Sequence, residues 1–253
     1  MTYKNRLKVH VQGTHPLLEL LTKRMRSQGM VIVNHELSGD ADFCLSGGGV
    51  FTNLNIPTLL LSTSDVYKGT NCSKKIEEGE PYSLHPFADF TASVLPFVAA
   101  ESYYLNNSKC MCIRTFPVFG EGTPDNILNR LVDRVVAGEP LESPILGYRV
   151  RSWLYITDFL VGFDLLLKEF LHGTTGIYNL GSDYKVRVQE LYSTVWQLAG
   201  LNIDAAVDER YEDMPWRPNS IIPDLTRTKA VTGWRPTTSL RSGISEMLTK
   251  RLK

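Results

Sequence analysis

The sequence has no apolar run approaching the roughly 18 residues that a membrane-spanning helix requires. It also has no excess of charge of either sign: across 253 residues Lys plus Arg and Asp plus Glu both number 27. The first absence excludes a membrane helix. The second, with basic residues scattered rather than gathered into a stripe, argues against nucleic acid as a partner. The opening MTYKNRLKVHVQG lacks the apolar core of a secretion signal, so a cytoplasmic protein is expected. Cysteine is scarce as well. Of Cys44, Cys72, Cys110 and Cys112 only the last two are close, and the alternation of KCMCIRTF places both on one face of a strand. Buried thiols are expected, with no metal site. There is no internal repeat or low-complexity tract, and SKKIEEGE (73–80) reads as a solvated loop.

The sequence does have enough apolar residues, 43% of the total, to bury a full core. LKVHV followed by Gly13 reads as a buried strand. THPLLELLTKRMRSQG reads as a helix with Thr14 near its start, Leu17, Leu18, Leu21 and Met25 on one stripe, and Gly29 as its stop. VIV (31–33), DFCLS (42–46), TLLLS (58–62) and MCIRTF (111–116) complete five strands in the first half, and such interleaving with helices implies a parallel sheet. Only eight residues separate VIV from DFCLS, fewer than the ~10–12 a helical crossover needs. The second half is richer in helix. TPDNILNRLVDRVVAG carries Pro124 in a first turn, ITDFLVGFDLLLKEFLHG, VQELYSTVWQLAG and SLRSGISEMLTKRLK follow, and GTTGIYNLG adds one strand. The expected fold is α/β, a shortened Rossmann-type parallel sheet with a smaller helix-rich C-terminal lobe. The expected division is residues 1–122 and 123–253, the two lobes interleaved into one compact unit.

Four stretches, in order, carry a resemblance that spans nearly the whole chain: LLLSTSDVYKG, CIRTFPVFGEGTPDNILNRLVDRVVAGEPL, VRSWLYITDFLVGF and MPWRPNSIIPDLTRTKAVTGWRPTTSLRSGI. Together they resemble the NAD-dependent epimerase/dehydratase family, the extended short-chain dehydrogenases that act on sugar nucleotides. The last two are the most specific, because polar and aromatic positions recur at fixed spacing over long segments. The resemblance implies a dinucleotide on the first lobe, a sugar nucleotide on the second, and a site in the cleft between them.

The chain departs from that family where its chemistry resides. The family's acid/base tyrosine and its lysine stand four residues apart. Here Ser93 and Phe97 occupy those positions in SVLPFVAAE, a shift of three residues gives Phe90 and Val94, and no tyrosine anywhere has a lysine four residues on. Pro96 implies that this helix starts late or bends. The family's three-glycine phosphate loop becomes Gly13, Pro16 and Glu19, which leaves Gly13 as a vestige of cofactor binding and Glu19 pointing to solvent. With the short β-to-β connection, this predicts that no cofactor is used, NAD(P) entering only if the chain is an active enzyme.

What is retained is Thr63 at the family's catalytic Ser/Thr, Asp65 as a neighbouring carboxylate able to act as acid or base, and Tyr67 at the tyrosine of the turn. Arg151 and Arg217 resemble the arginines that reach the diphosphate, a task suited to a planar fork of donors. Arg114 is expected to pin a loop at the core edge, and Asn179 and Asp224 to be turn or cap residues. Three readings follow: a non-redox pseudoenzyme that binds a nucleotide sugar or regulates a partner enzyme, an active NAD-dependent epimerase or dehydratase with a non-standard base such as Asp65, or a protein-interaction module with Phe90, Phe97 and Tyr103 as core or interface aromatics. The resemblance also implies a homodimer, an expectation that Pro96 weakens.

Overall fold

The structure, a computed structural model, describes residues 7–33, 40–48, 56–67, 94–107, 109–139, 150–201 and 221–252. Phe90, Ser93, Cys72, Arg217 and the segment 73–80 lie outside them.

Six parallel strands form the central sheet. β1 (Lys8–Gly13), β2 (Val31–Val33), β3 (Phe43–Gly47), β4 (Thr58–Thr63), β5 (Cys110–Thr115) and β9 (Gly176–Leu180) are ordered β2-β1-β3-β4-β5-β9. β3, β4 and β5 are buried almost throughout, as expected for strands covered on both faces. β2 and β3 flank β1 on opposite sides, so the order reverses at β1, and one side of the switch carries a single described strand where the usual dinucleotide fold has two. β9 comes from the second half of the sequence and extends the far edge beside β5.

α1 (Leu18–Ser27) buries Leu18, Leu21 and Met25 as its periodicity requires, but it starts later than the sequence suggests because Pro16 and Leu17 form a turn closed by the Leu18 amide on the His15 carbonyl. α2 (Leu95–Asn107) has Pro96 in its first turn, where the missing N–H costs nothing. β6 (Val118–Phe119) pairs with β8 (Leu154–Tyr155), and β7 (Val150–Arg151) with β10 (Val186–Arg187). α3 (Ile127–Val136) is capped by Asn126, whose Oδ1 accepts from the Leu128 and Asn129 amides at 3.0 Å. Pro124 therefore precedes the helix rather than opening it.

α4 (Ile156–Leu171), α5 (Val188–Leu198), α6 (Thr226–Thr232) and α7 (Leu240–Arg251) complete the chain. The two most specific sequence stretches meet here. Asp158, at the start of α4, accepts from the Thr237 and Thr238 amides at 3.0 and 2.7 Å, while its carbonyl accepts from the Trp234 indole at 3.1 Å. Gly162 lets this approach happen, since a Cβ there would lie 2.6 Å from Leu180 and 2.9 Å from Trp234. Cys44, Cys110 and Cys112 are buried and free. Among the described residues no helix is long and apolar enough to cross a membrane, and no group of side chains could hold a metal.

Candidate functional site

A cleft of about 420 Å³ opens at the C-terminal ends of β4 and β5. One wall is the start of α1, with His15, Pro16 and Leu17. A second is the start of α2, with Val94 and Phe97, and the third joins Pro117, Val118 and the approach to α3 to Trp153. Thr63, Ser64, Asp65, Thr115 and Phe116 lie where the strands end.

Thr63 and Asp65 are brought together there. Thr63 Oγ1 accepts from the Asp65 amide at 3.2 Å, which closes the turn and leaves both residues partly exposed on the cleft. Tyr67 turns the other way. It is buried, its hydroxyl donates to Asn179 Oδ1 at 2.8 Å and accepts from Arg114 Nη1 at 2.9 Å, and it is not among the residues lining the cleft. Arg114 is fully buried and binds Glu101 of α2 through two nitrogens, the shorter contact being 2.7 Å. Burial works against its charge, but the hydrogen bonds and attraction of Glu101 outweigh that and raise its pKa above the ordinary arginine value. Asn179 is not a turn residue. It sits inside β9 and donates to the Asp224 carbonyl at 3.2 Å, while Asp224 Oδ1 accepts from the Thr226 amide at 2.7 Å and so closes the turn that leads into α6. Arg151, on β7, donates to the Val150 carbonyl at 2.8 Å and forms a bridge with Ile221; it does not line the cleft. Glu19 pairs with Lys23 at 2.7 Å with 80% of its side chain exposed, so it points to solvent.

His15 is the residue that sequence reasoning missed on the first wall. Its Nδ1 accepts from the Leu17 amide at 3.1 Å, which fixes the proton on Nε2, and Nε2–H then donates to Thr115 Oγ1 at 3.1 Å. Thr115 passes the chain on to the Ser62 carbonyl at 2.9 Å. Burial pushes the imidazole pKa down to about 4, against an opposing contribution from that carbonyl. The ring is therefore neutral at ordinary pH, and it ties the turn before α1 to β4 and β5. Trp153 was missed on the third wall. It stands in VRSW two residues after Arg151, with no local signal of its own.

The ends of β1 and β3 form a floor of glycines beside the cleft. Gly13 ends β1 with φ of +102°, Gly47 ends β3, and Gly48 follows it with φ of +76°. A Cβ on Gly13 would come within 2.5 Å of the Gly48 carbonyl oxygen, so only glycine lets the end of β1 pack this closely on the end of β3. The start of α1 differs from an open phosphate site, because His15 already takes the Leu17 amide.

A model of a family described as "NAD dependent epimerase/dehydratase family" matches residues 7–181. Low-salt glycan biosynthesis protein Agl12 of Haloferax volcanii is 27% identical over 233 residues, 85% of this chain and 73% of that protein. UDP-glucuronic acid decarboxylase 5 of Arabidopsis thaliana is 29% identical over 121 residues, 48% of this chain and only 34% of the plant protein. Among solved structures, MoeE5 in complex with UDP-glucose and NAD superposes with a TM-score of 0.74 over 97% of this chain and 99% of its own at 17% identity, a likeness of fold. These findings overturn the expectation that no cofactor is used. The matching family is NAD dependent by description, and the MoeE5 complexes with UDP-glucose and with UDP-glucuronic acid both contain NAD. The three-glycine pattern after β1 is not the whole of a dinucleotide site, and glycines also stand at the ends of β1 and β3.

Proposed function

Since this chain belongs to the NAD dependent epimerase/dehydratase family, we propose that it binds a nucleotide sugar together with NAD(P), and does so without the family's tyrosine and lysine acid/base pair. The observation that carries this reading is the cleft of about 420 Å³ at the ends of β4 and β5, beside the glycine floor and walled by both halves of the chain. Gly13, Gly47 and Gly48 would hold the dinucleotide by close backbone approach, and the group supplies hydride exchange when bound. Thr63 presents a hydroxyl and Asp65 a carboxylate to the sugar. Arg151 and Arg217 are assigned to the diphosphate. At the lysine position, Phe97 offers an apolar ring that neither lowers a neighbouring pKa nor donates a hydrogen bond, and this favours ligand binding over turnover.

A second reading, turnover with another base, is favoured by one observation: Asp65 is the carboxylate held beside Thr63 where the strands end. Calorimetry across UDP-, dTDP-, GDP- and CDP-sugars tests the first reading, and binding of at least one in the micromolar range is expected. Nuclear magnetic resonance of the sugar after long incubation with NAD(P) separates the two. An unchanged sugar supports binding alone, whereas product formation lost in Asp65→Asn establishes the second.

A further inference from the structure

The described lining of the cleft is poor in hydrogen-bond donors. Pro16, Pro117 and Pro124 stand on its walls and have no backbone N–H to offer. The side-chain donors beside them are already committed inside the protein. His15 Nε2–H goes to Thr115 Oγ1 at 3.1 Å and the Thr115 hydroxyl to the Ser62 carbonyl at 2.9 Å, while the Asn126 amide donates to the Val118 and Pro124 carbonyls at 3.2 and 3.0 Å. The indole nitrogen of Trp153 is shut off from the surface. What remains is the hydroxyls of Thr63 and Ser64 with the carboxylate of Asp65 between the two walls, Thr63 and Asp65 both half-buried where the strands end. A second carboxylate, Asp125, is exposed and matched by Arg130 at 2.6 Å. No lysine or arginine is among the described residues that line the cleft.

Such a lining separates two kinds of sugar. A hydroxymethyl group at C6 has a proton to give, so a carboxylate or carbonyl can accept from it in place of water. A carboxylate at the same carbon only accepts. It needs donors to replace the water it loses, and beside Asp65 and the proline rings it would meet a like charge and apolar surface instead. We propose that the cleft selects uncharged hexosyl groups over hexuronosyl groups, and that Asp65 is the residue that sets this preference. This rests on the reading of the cleft as a nucleotide-sugar site and names the class of sugar that site takes.

The test is calorimetry on wild type and Asp65→Asn with pairs of nucleotide sugars that differ only at C6. For UDP, dTDP and CDP the glucosyl derivative is compared with the glucuronosyl derivative, and GDP-mannose is compared with GDP-mannuronic acid. For the pair that binds, wild type should hold the uncharged member about 10-fold or more tightly than the uronosyl member, the scale of one like-charge contact a few ångströms apart. Asp65→Asn keeps the size of the side chain, removes its charge and adds a donor, and it should close most of that gap by tightening the uronosyl member. A uronosyl member that wild type binds as tightly as its partner overturns the proposal, and this result needs no variant. A gap that Asp65→Asn leaves unchanged overturns it as well, and in both cases the nucleotide-sugar reading stands. If wild type binds neither member of any pair, that reading fails and the preference falls with it.

Discussion

Phe97 meets His15 edge to face, their ring centroids 5.6 Å apart, and the same phenyl ring lies 2.8 Å from where a Cβ on Gly48 would be. The helix that in the family carries a lysine therefore lays an aromatic ring against the glycine floor. Phe97→Ala uncovers more of that floor, so NAD(P) should bind several-fold more tightly while the protein loses about 1–3 kcal/mol of packing. Calorimetry and denaturant melts on the same samples check both signs. Weaker NAD(P) binding would instead make the ring a platform for the ligand.

His15 gives a pH dependence of defined sign. Its folded pKa lies near 4, below the ordinary 6.5, so above pH 6.5 the ring is neutral in both states and stability is unaffected. As pH falls from 6.5 towards 4 the unfolded chain takes up a proton that the folded chain refuses, and stability drops, by at most about 3 kcal/mol once both states are protonated. His15→Asn keeps a side-chain acceptor for the Leu17 amide and removes this titration. Urea melts between pH 7 and 5 should show a steeper loss in wild type than in the variant.

Glu101 and Arg114, with side chains 0% and 2% exposed, form an ion pair that fastens α2 to β5. Removing one partner strands a buried charge, and Glu101→Leu or Arg114→Met should each cost about 3–5 kcal/mol. The double variant removes both charges and should be less destabilised than the sum of the two. Additive losses in chemical denaturation would contradict the pairing.

Burial raises the pKa of Cys44 and Cys110 to about 12 and that of Cys112 well above its ordinary value. At pH 8 none of the three is an appreciable thiolate, so a disulfide reagent should titrate them only when the protein is denatured. Fast labelling of more than one thiol per folded chain would count against this packing.

The strands of the sheet were legible because each is a short apolar run, with β3, β4 and β5 buried on both faces, and most of the helices because their stripes repeat at helical spacing. The two cysteines of β5 followed from strand alternation, and the outward Glu19 from its place in the altered phosphate loop. The site was less legible. His15 gains its role from Thr115, 100 residues away, and no local pattern marks that bond. Tyr67 matched a motif, yet its direction was set by Arg114 and Asn179, which reach it from β5 and β9. Gly47 and Gly48 stand at the end of β3, outside the three-glycine pattern that follows β1, so no local motif marks them.

Native mass spectrometry of the purified chain with NAD(P) and a sugar nucleotide, each at millimolar concentration, tests the central claim most directly. The account predicts a complex that carries one dinucleotide and one intact sugar nucleotide per chain. A spectrum that contains only the unliganded mass across the whole nucleotide-sugar panel would contradict it.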